Sequence, residues 1–295
     1  MNVRAATKGD LAAIAELFGS VDEAVRGRPS KLDADAVDGW LQTTSFDTNT
    51  WLVEEDGVLV AGAFAQLHGR RGVFAGAVRP SAQGRGLGGR LVDLAEARLA
   101  DEGAERFHAW TVAGDAAADE LVRGRGYREV RRFWDMAMEI RVEVPEDAQR
   151  PAIEVFREED AYEFHAALEE AFDDHWEHQP EPFDVWWSRQ RARSGYDPSL
   201  WFVIRDGAEI AAAVRNDSNR QAGGYVAALG VRSRWRGRGY GRALLLHSFN
   251  EFRRRGLTRV SLTVDAGNAT GATQLYESVG MYVDQENVIW ERLRP

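Results

Sequence analysis

The feature that most constrains this chain is a glycine-rich turn that occurs twice. Gln83-Gly84-Arg85-Gly86-Leu87-Gly88-Gly89 returns 153 residues later as Arg236-Gly237-Arg238-Gly239-Tyr240-Gly241-Arg242. In both copies a strand-like run precedes the turn and an amphipathic stretch follows it. Glycines reach backbone conformations that other residues resist, and a glycine turn opening a helix presents several N–H groups to an anion. A chain that builds this turn twice is expected to fold one kind of unit twice.

The duplication extends well beyond the turn. Residues 3–10 align with 153–160, and Trp51-Leu52-Val53 with Trp201-Phe202-Val203, at an offset of 150; the offset is 153 at Val78 and Val231 and 154 at Gly126-Tyr127 and Gly280-Met281. Drifts of this size are loop insertions. The expected plan is an N-terminal domain over 1–142 and a C-terminal domain over 152–295, joined by a polar stretch at 141–151 that holds Pro145 and Pro151 and has no helix or strand period. Domains of about 140 residues are large enough to bury their own cores.

Both halves give the same order of elements. Residues 3–6 read as a strand, and Thr7 and Asp10 as a capping box for a helix through Leu11, Ile14 and Leu17. A second helical region follows around Trp40, or around Trp186 and Trp187 in the second half. Asp56-Gly57 between two apolar runs is a hairpin signal, with Asp206-Gly207 as its counterpart. Strands at 73–78 and 225–231 then lead into the glycine turns. Behind the turns, Leu87, Leu91, Leu94 and Leu99 mark one helix face, and Leu244, Leu245, Phe249 and Phe252 the other. The second half closes with an alternating strand at 259–265, a helix at about 270–279 and a strand at 281–293. The fold class is a mixture of helices and strands in each half.

Composition narrows the chemistry. Lys and Arg number 37 against 47 Asp and Glu, a formal net charge of -10, so a general polyanion binder is not expected. Without cysteine there are no disulfides, no thiolate metal sites and no cysteine nucleophile. The N-terminus has no signal-peptide pattern and no apolar run suits a membrane span, so a cytoplasmic protein is expected. Against the acidic background, Arg232, Arg234, Arg236, Arg238 and Arg242 crowd around the second turn, which is locally the charge a pyrophosphate attracts.

Gly84, Gly86 and Gly89 match the dinucleotide fingerprint literally, but three facts oppose that reading. Arg242 replaces the last glycine in the second copy, the turn lies roughly 80 residues into each domain, and the strand before it belongs to a meander instead of opening a βαβ unit. A purely structural role for the glycines leaves the arginine cluster unexplained. The residues instead resemble the acetyl-CoA motif of the GNAT acetyltransferases, Gln/Arg-x-x-Gly-x-Gly/Ala, at Gln83, Gly86 and Gly88 and again at Arg236, Gly239 and Gly241. The agreement in element order covers nearly the whole of both halves.

The resemblance implies two tandem domains, each a mostly antiparallel twisted sheet with a central splayed pair of parallel strands flanked by helices. It implies that acetyl-CoA is the co-substrate. In the second half, Leu229, Gly230 and Val231 would face the pantetheine arm, and Arg236, Gly237, Arg238, Gly239, Tyr240, Gly241 and Arg242 would hold the phosphates, with Asn268 nearby. In the first half, Val78, Gln83, Gly84, Arg85, Gly86, Leu87, Gly88 and Gly89 take the corresponding places. Backbone N–H groups aimed at the thioester carbonyl would stabilise the charge that develops when an amine attacks.

The halves diverge where the reaction would occur. By resemblance, Tyr276 is the general acid that protonates the departing thiolate, a proton transfer typically worth about 10²- to 10⁴-fold. Aligned on Gly126, the first half carries Val122 there, and Gly114 or Asp115 near the place of Asn268. Catalysis is therefore expected in the C-terminal domain alone. The strand at 225–231 has no carboxylate to act as base, which leaves Asp173, Asp174, His175 and Glu177 as candidates between the first two helices. His165, His175 and His178 fit no familiar zinc spacing, and no metal site is expected. The activity implied is transfer of an acetyl group to a small-molecule primary amine, without nucleic-acid or membrane partners. A coenzyme-binding scaffold without turnover and an acetyltransferase of protein N-termini or lysines are the alternatives. The sequence leaves the acceptor, the acyl chain length and the oligomeric state open.

Overall fold

The computed structural model describes residues 3–41, 44–141, 151–193, 195–220, 223–268 and 270–294. The polar stretch expected to join the domains falls, at 142–150, outside the described residues. The chain forms two compact units. One comprises Met1–Phe133 with Gln285–Pro295, the other Trp134–Asp284.

In the first unit the elements run β1 (Val3–Arg4), α1 (Leu11–Arg26), α2 (Ala34–Leu41), β2 (Thr50–Glu55), β3 (Val58–His68), β4 (Arg71–Val78), α3 (Leu87–Asp101), β5 (Arg106–Val112), α4 (Ala116–Gly124) and the start of β6 (Arg128–Glu139). The capping box is present on the short turn before α1, where Asp10 Oδ2 accepts from the Thr7 amide at 2.8 Å. The β2–β3 hairpin turns on Asp56 and Gly57, at φ 50° and 78°. Two central residues with positive φ give the turn whose twist suits a tight hairpin, which explains why Asp-Gly stands there.

The second unit repeats the order with β7 (Glu154–Val155), α5 (Ala161–Phe172), α6 (Phe183–Arg191), β8 (Phe202–Asp206), β9 (Glu209–Arg220), β10 (Gly223–Val231), α7 (Tyr240–Arg254), β11 (Arg259–Asp265), α8 (Ala272–Ser278) and the start of β12 (Tyr282–Leu293). Its core gathers Phe156, Phe164 and Trp201 with Leu244, Phe249 and Phe252 of α7. The ring centroids of Phe164 and Trp201 lie 5.3 Å apart, and aromatic burial of this kind contributes about 1.5 to 3 kcal/mol per side chain.

The units differ from the expected blocks 1–142 and 152–295 in their closing strands. β12 pairs antiparallel with β5 from Asn287↔Val112 to Leu293↔Arg106, so the end of the chain completes the first unit's sheet. In the second unit β6 takes the corresponding place beside β11. The buried Trp290 makes the first assignment energetically plain, because it sits in the core with Phe107 and Val122 and donates Nε1–H to Thr111 Oγ1 at 2.8 Å.

Within each unit the sheet is a meander of antiparallel neighbours, and the described registers contain one parallel pair per unit, β4 with β5 and β10 with β11. These parallel pairs position the site.

Candidate active site

In both units the parallel strands are paired near their starts and then part. β4 and β5 are last in register at Ala75↔Trp110, although β4 continues to Val78. β10 and β11 part earlier, after Tyr225↔Ser261, and β10 runs on to Val231 while staying paired with β9. A register shift between Val226 and Ala228 lies where the separation begins. Such a bulge bends the strand and increases its twist. The result is a wedge between β10 and β11, with backbone groups of 229–231 on the β10 side freed from β11.

The glycine turn closes the wide end of each wedge. Gly237 and Gly239 have φ 78° each, and their counterparts Gly84 and Gly86 have 73° and 77°. A Cβ built on any of these four would meet nothing within 4 Å, so the glycines answer a backbone demand and leave open space above the turn. The first helical bond of α7 runs from the Ala243 amide to the Gly239 carbonyl, which leaves the Tyr240 and Gly241 amides without helical acceptors. In the first unit Arg90 to Gly86 is the matching bond. Gly88 and Gly241 serve a different need. A Cβ on Gly241 would stand 3.2 Å from Leu275 and 3.6 Å from Val231, and one on Gly88 would stand 3.1 Å from Leu121 and 3.7 Å from Val78. They let the helix behind each turn lie close to the next helix and to the strand end.

The arginines are committed elsewhere than their crowding suggests. Arg236 ties Asp174 at 2.6 Å and donates to the carbonyls of Ala171 and Val231, pinning the end of α5 to the end of β10. Arg232 pairs with Glu170, Arg234 with Glu209 while stacked 3.8 Å over Trp235, and Arg238 with Asp206. Arg242 reaches the Ser278 carbonyl at the end of α8, and Arg85 pairs with Glu55. Each guanidinium around the second turn therefore has a protein partner, and the turn's amides and helix dipole add their own attraction for an anion. Four of the five arginines face acids, Glu170, Asp174, Asp206 and Glu209.

The first unit's wedge opens into a cavity of about 240 Å³ lined by the turn, by Gly76 to Val78 of β4, and by Ala109, Leu121 and Val122. Gln83, Gly84, Gly86, Leu87, Gly88 and Gly89 all border it.

Tyr276 lies on α8, buried against the second unit's core. The Met281 amide donates to the Tyr276 carbonyl at 3.1 Å, as the Tyr127 amide does to the Val122 carbonyl at 3.1 Å, so Val122 holds the same place on α4. Burial pushes the Tyr276 phenol up to about 12, with Tyr225 adding to the effect. The phenol is thus protonated throughout the neutral range and fit to donate. Asn268 turns out to brace its own loop, its Oδ1 accepting from the Thr270 amide at 2.7 Å. Its Nδ2 faces His175 Nε2 at 3.5 Å. Of the four proposed bases, Asp174 is held by Arg236, whereas His175 lies against the turn that follows β11. Asp265, the last residue of β11 and mostly buried, looks in sequence like any strand end, and only the fold brings it to the open end of the wedge.

The sequence profile described as the Acetyltransferase (GNAT) family matches residues 15–127 and again 159–281. The chain belongs to the GNAT acetyltransferase family. It carries two GNAT domains in tandem, with the parallel and antiparallel strands of that fold. It is similar to proteins named mycothiol acetyltransferase: that of Thermobispora bispora is 32% identical over 231 residues, covering 73% of this chain and 74% of that protein. That of Thermobifida fusca is 30% identical over 267 residues, covering 81% and 80%. Among solved structures, a GCN5-related N-acetyltransferase from Sphaerobacter thermophilus superposes with a TM-score of 0.84 at 30% identity, over 100% of this chain and 96% of that one. A tandem GNAT protein from the clavulanic acid biosynthesis pathway shares the fold with a TM-score of 0.75 at 14% identity, covering 100% of this chain and 99% of its own. As a GNAT acetyltransferase this protein is an enzyme of acyl transfer, and GNAT acetyltransferases use acetyl-CoA. Among the described residues no helix is long and apolar enough to cross a membrane.

Proposed function

We propose that the second unit transfers the acetyl group of acetyl-CoA directly to a small-molecule primary amine, and that the first unit binds the coenzyme without turning it over. The observation that carries this reading is that Tyr276 and Val122 occupy one equivalent position in two wedges of the same construction. The wedge and amide turn fit a pyrophosphate and an extended pantetheine arm in both units, because four glycines with positive φ leave the approach clear. Leu229, Gly230 and Val231 would receive the arm, and the amides from Gly237 to Gly241 the phosphates.

Proton donation is confined to the second unit. When the amine has attacked the thioester carbonyl and the C–S bond breaks, Tyr276 supplies the proton that the departing sulfur needs. Valine at 122 has none to give. The similarity to mycothiol acetyltransferases favours an amine attached to a cysteinyl sugar conjugate as acceptor, since the coverage extends over most of both chains.

The test is acetyl transfer from acetyl-CoA to glucosamine, cysteine methyl ester and deacetylated mycothiol, with products identified by mass spectrometry. An N-acetylated amine is expected, and Tyr276→Phe should lower kcat by about 10²-fold or more while leaving coenzyme affinity nearly unchanged. Acetylation of peptides alone, or full activity in the Phe variant, would overturn the assignment.

A further inference from the structure

The two units differ around the wedge at more than Tyr276 and Val122. β5 and β11 are both seven residues long, and each ends in the same turn: the Asp115 amide donates to the Val112 carbonyl at 3.1 Å, the Asn268 amide to the Asp265 carbonyl at 3.0 Å. Asp265 therefore stands where the first unit has Val112. A third pair shares a chain offset, although Val25 lies inside α1 and His175 lies in the turn beyond the end of α5. Val25 is as far along the chain from Asp10 as His175 is from Asp160, and those two aspartates close identical turns onto Thr7 and Arg157. Val25 approaches within 3.5 Å of the Cβ position of Gly114, the residue before Asp115, while His175 faces Asn268 in the corresponding turn. Around one wedge the fold carries Val25, Val112 and Val122; around the other it carries His175, Asp265 and Tyr276.

We propose that His175 is the general base of the second unit, and that the carboxylate of Asp265 is its charge partner. The inference rests on acetyl transfer to an amine in this wedge. Two groups that must handle protons, one to remove and one to donate, would then be the very positions at which a non-catalytic copy has valine.

The geometry suits the roles. Asp265 is held rigidly, its Oδ1 accepting from the Gly267 amide at 2.9 Å. His175 is fixed by its ring contact with Phe172, centroids 4.4 Å apart, and by its own amide's bond to the Phe172 carbonyl at 2.9 Å. The 3.5 Å separation of Nε2 from Asn268 is longer than a closed hydrogen bond, so that nitrogen can accept from a nearer donor. The charged groups acting on the ring are Asp265 from β11, Asp174 and His178 from its own loop, and Arg236 from the glycine turn. Burial holds the imidazole below its ordinary range against the pull of Asp265, so it is neutral and able to accept a proton near pH 7.

The protons balance. His175 takes one proton from the acceptor's ammonium, whose freed lone pair forms the C–N bond at the thioester carbonyl. As the tetrahedral adduct collapses, the C–S bond breaks and Tyr276 protonates the sulfur. The second proton on nitrogen, made acidic by the new bond, restores the Tyr276 phenol, and His175 releases its proton to solvent.

The test uses the full chain, acetyl-CoA and the fastest of glucosamine, cysteine methyl ester and deacetylated mycothiol. His175→Ala should lower kcat by about 10²-fold or more, remove the acidic limb of the kcat/KM profile and regain part of its rate with added imidazole. Asp265→Asn should move that limb to lower pH, since it removes the carboxylate that favours the protonated ring. Titration of acetyl-CoA by calorimetry should give the same heat for wild type and both variants. An unchanged acidic limb in both variants overturns the proposal, as does a loss confined to the KM for acetyl-CoA. No turnover by wild type with any of the three amines, despite normal coenzyme heat, removes the amine-transfer reading and this one with it; base failure alone leaves wild-type turnover intact.

Discussion

At the scale of single residues, the second unit concentrates buried titratable groups on α5 and the loop that follows it. His165 lies against Trp186, ring centroids 4.8 Å apart, and burial lowers its pKa although Glu169 and Glu181 pull the other way. His175 is lowered for the same first cause. A histidine near 6.5 when unfolded and lower when folded takes up its proton first in the unfolded chain. The stability present above pH 6.5 is therefore lost as pH falls through the lowered folded value. Urea unfolding followed at pH 7.5 and 5.5 should show a lower midpoint at the acid pH, and His165→Gln should reduce that difference. Equal midpoint shifts in wild type and variant would contradict the assignment to His165. The same scale shows what a reading of residue types can and cannot supply. The glycines at 84, 86, 237 and 239 were legible because only glycine accepts their φ cheaply, and Tyr276 because Gly280 sets its register. The arginines' partners were not legible, because a guanidinium's partner is chosen by tertiary neighbours: Arg236 bonds Asp174 and two carbonyls from elements roughly 60 residues away or at the strand end. Asp265 gave no signal of its own, since a terminal strand residue looks alike whether it faces solvent or a cleft.

At the scale of elements, the site depends on how closely α7 approaches α8 and β10. Gly241 is the contact, with Leu275 and Val231 on either side of its missing side chain. Leu275 is Tyr276's neighbour on α8. Gly241→Leu should push the two helices apart, costing about 1 to 3 kcal/mol of stability through overpacking and lowering kcat by displacing the phenol. Thermal unfolding and steady-state rates read the two effects together. Gly88→Leu, at the matching contact with Leu121, should cost similar stability and leave kcat alone, because α4 presents Val122. A fall in kcat from the Gly88 change would place chemistry in the first unit. Strand and helix order were readable from hydrophobic period and turn residues in both halves. The exchange of closing strands was not, because β6 and β12 carry similar patterns and occupy equivalent places in the repeat, so either can close either sheet as far as pattern is concerned.

For the whole molecule, the first unit is discontinuous in sequence and the second is not. Val288, Ile289 and Trp290 are all buried. At about 1.5 to 3 kcal/mol per buried apolar side chain, removing residues 285–295 withdraws several kcal/mol from a unit whose total stability is of the order of 5 to 15 kcal/mol. Truncation after Asp284 should therefore unfold the first unit, seen as loss of the Trp110 and Trp51 environment in near-ultraviolet circular dichroism and as rapid proteolysis of residues 3–133. A truncated chain with an undiminished first unfolding transition would show that β12 is dispensable. The same discontinuity governs the order of events on the ribosome. Synthesis is vectorial, and domains ordinarily fold in the order they emerge. Here the earlier portion must wait, with the edge of β5 unpaired, until residues 285–295 have emerged, while the later portion already holds everything it requires.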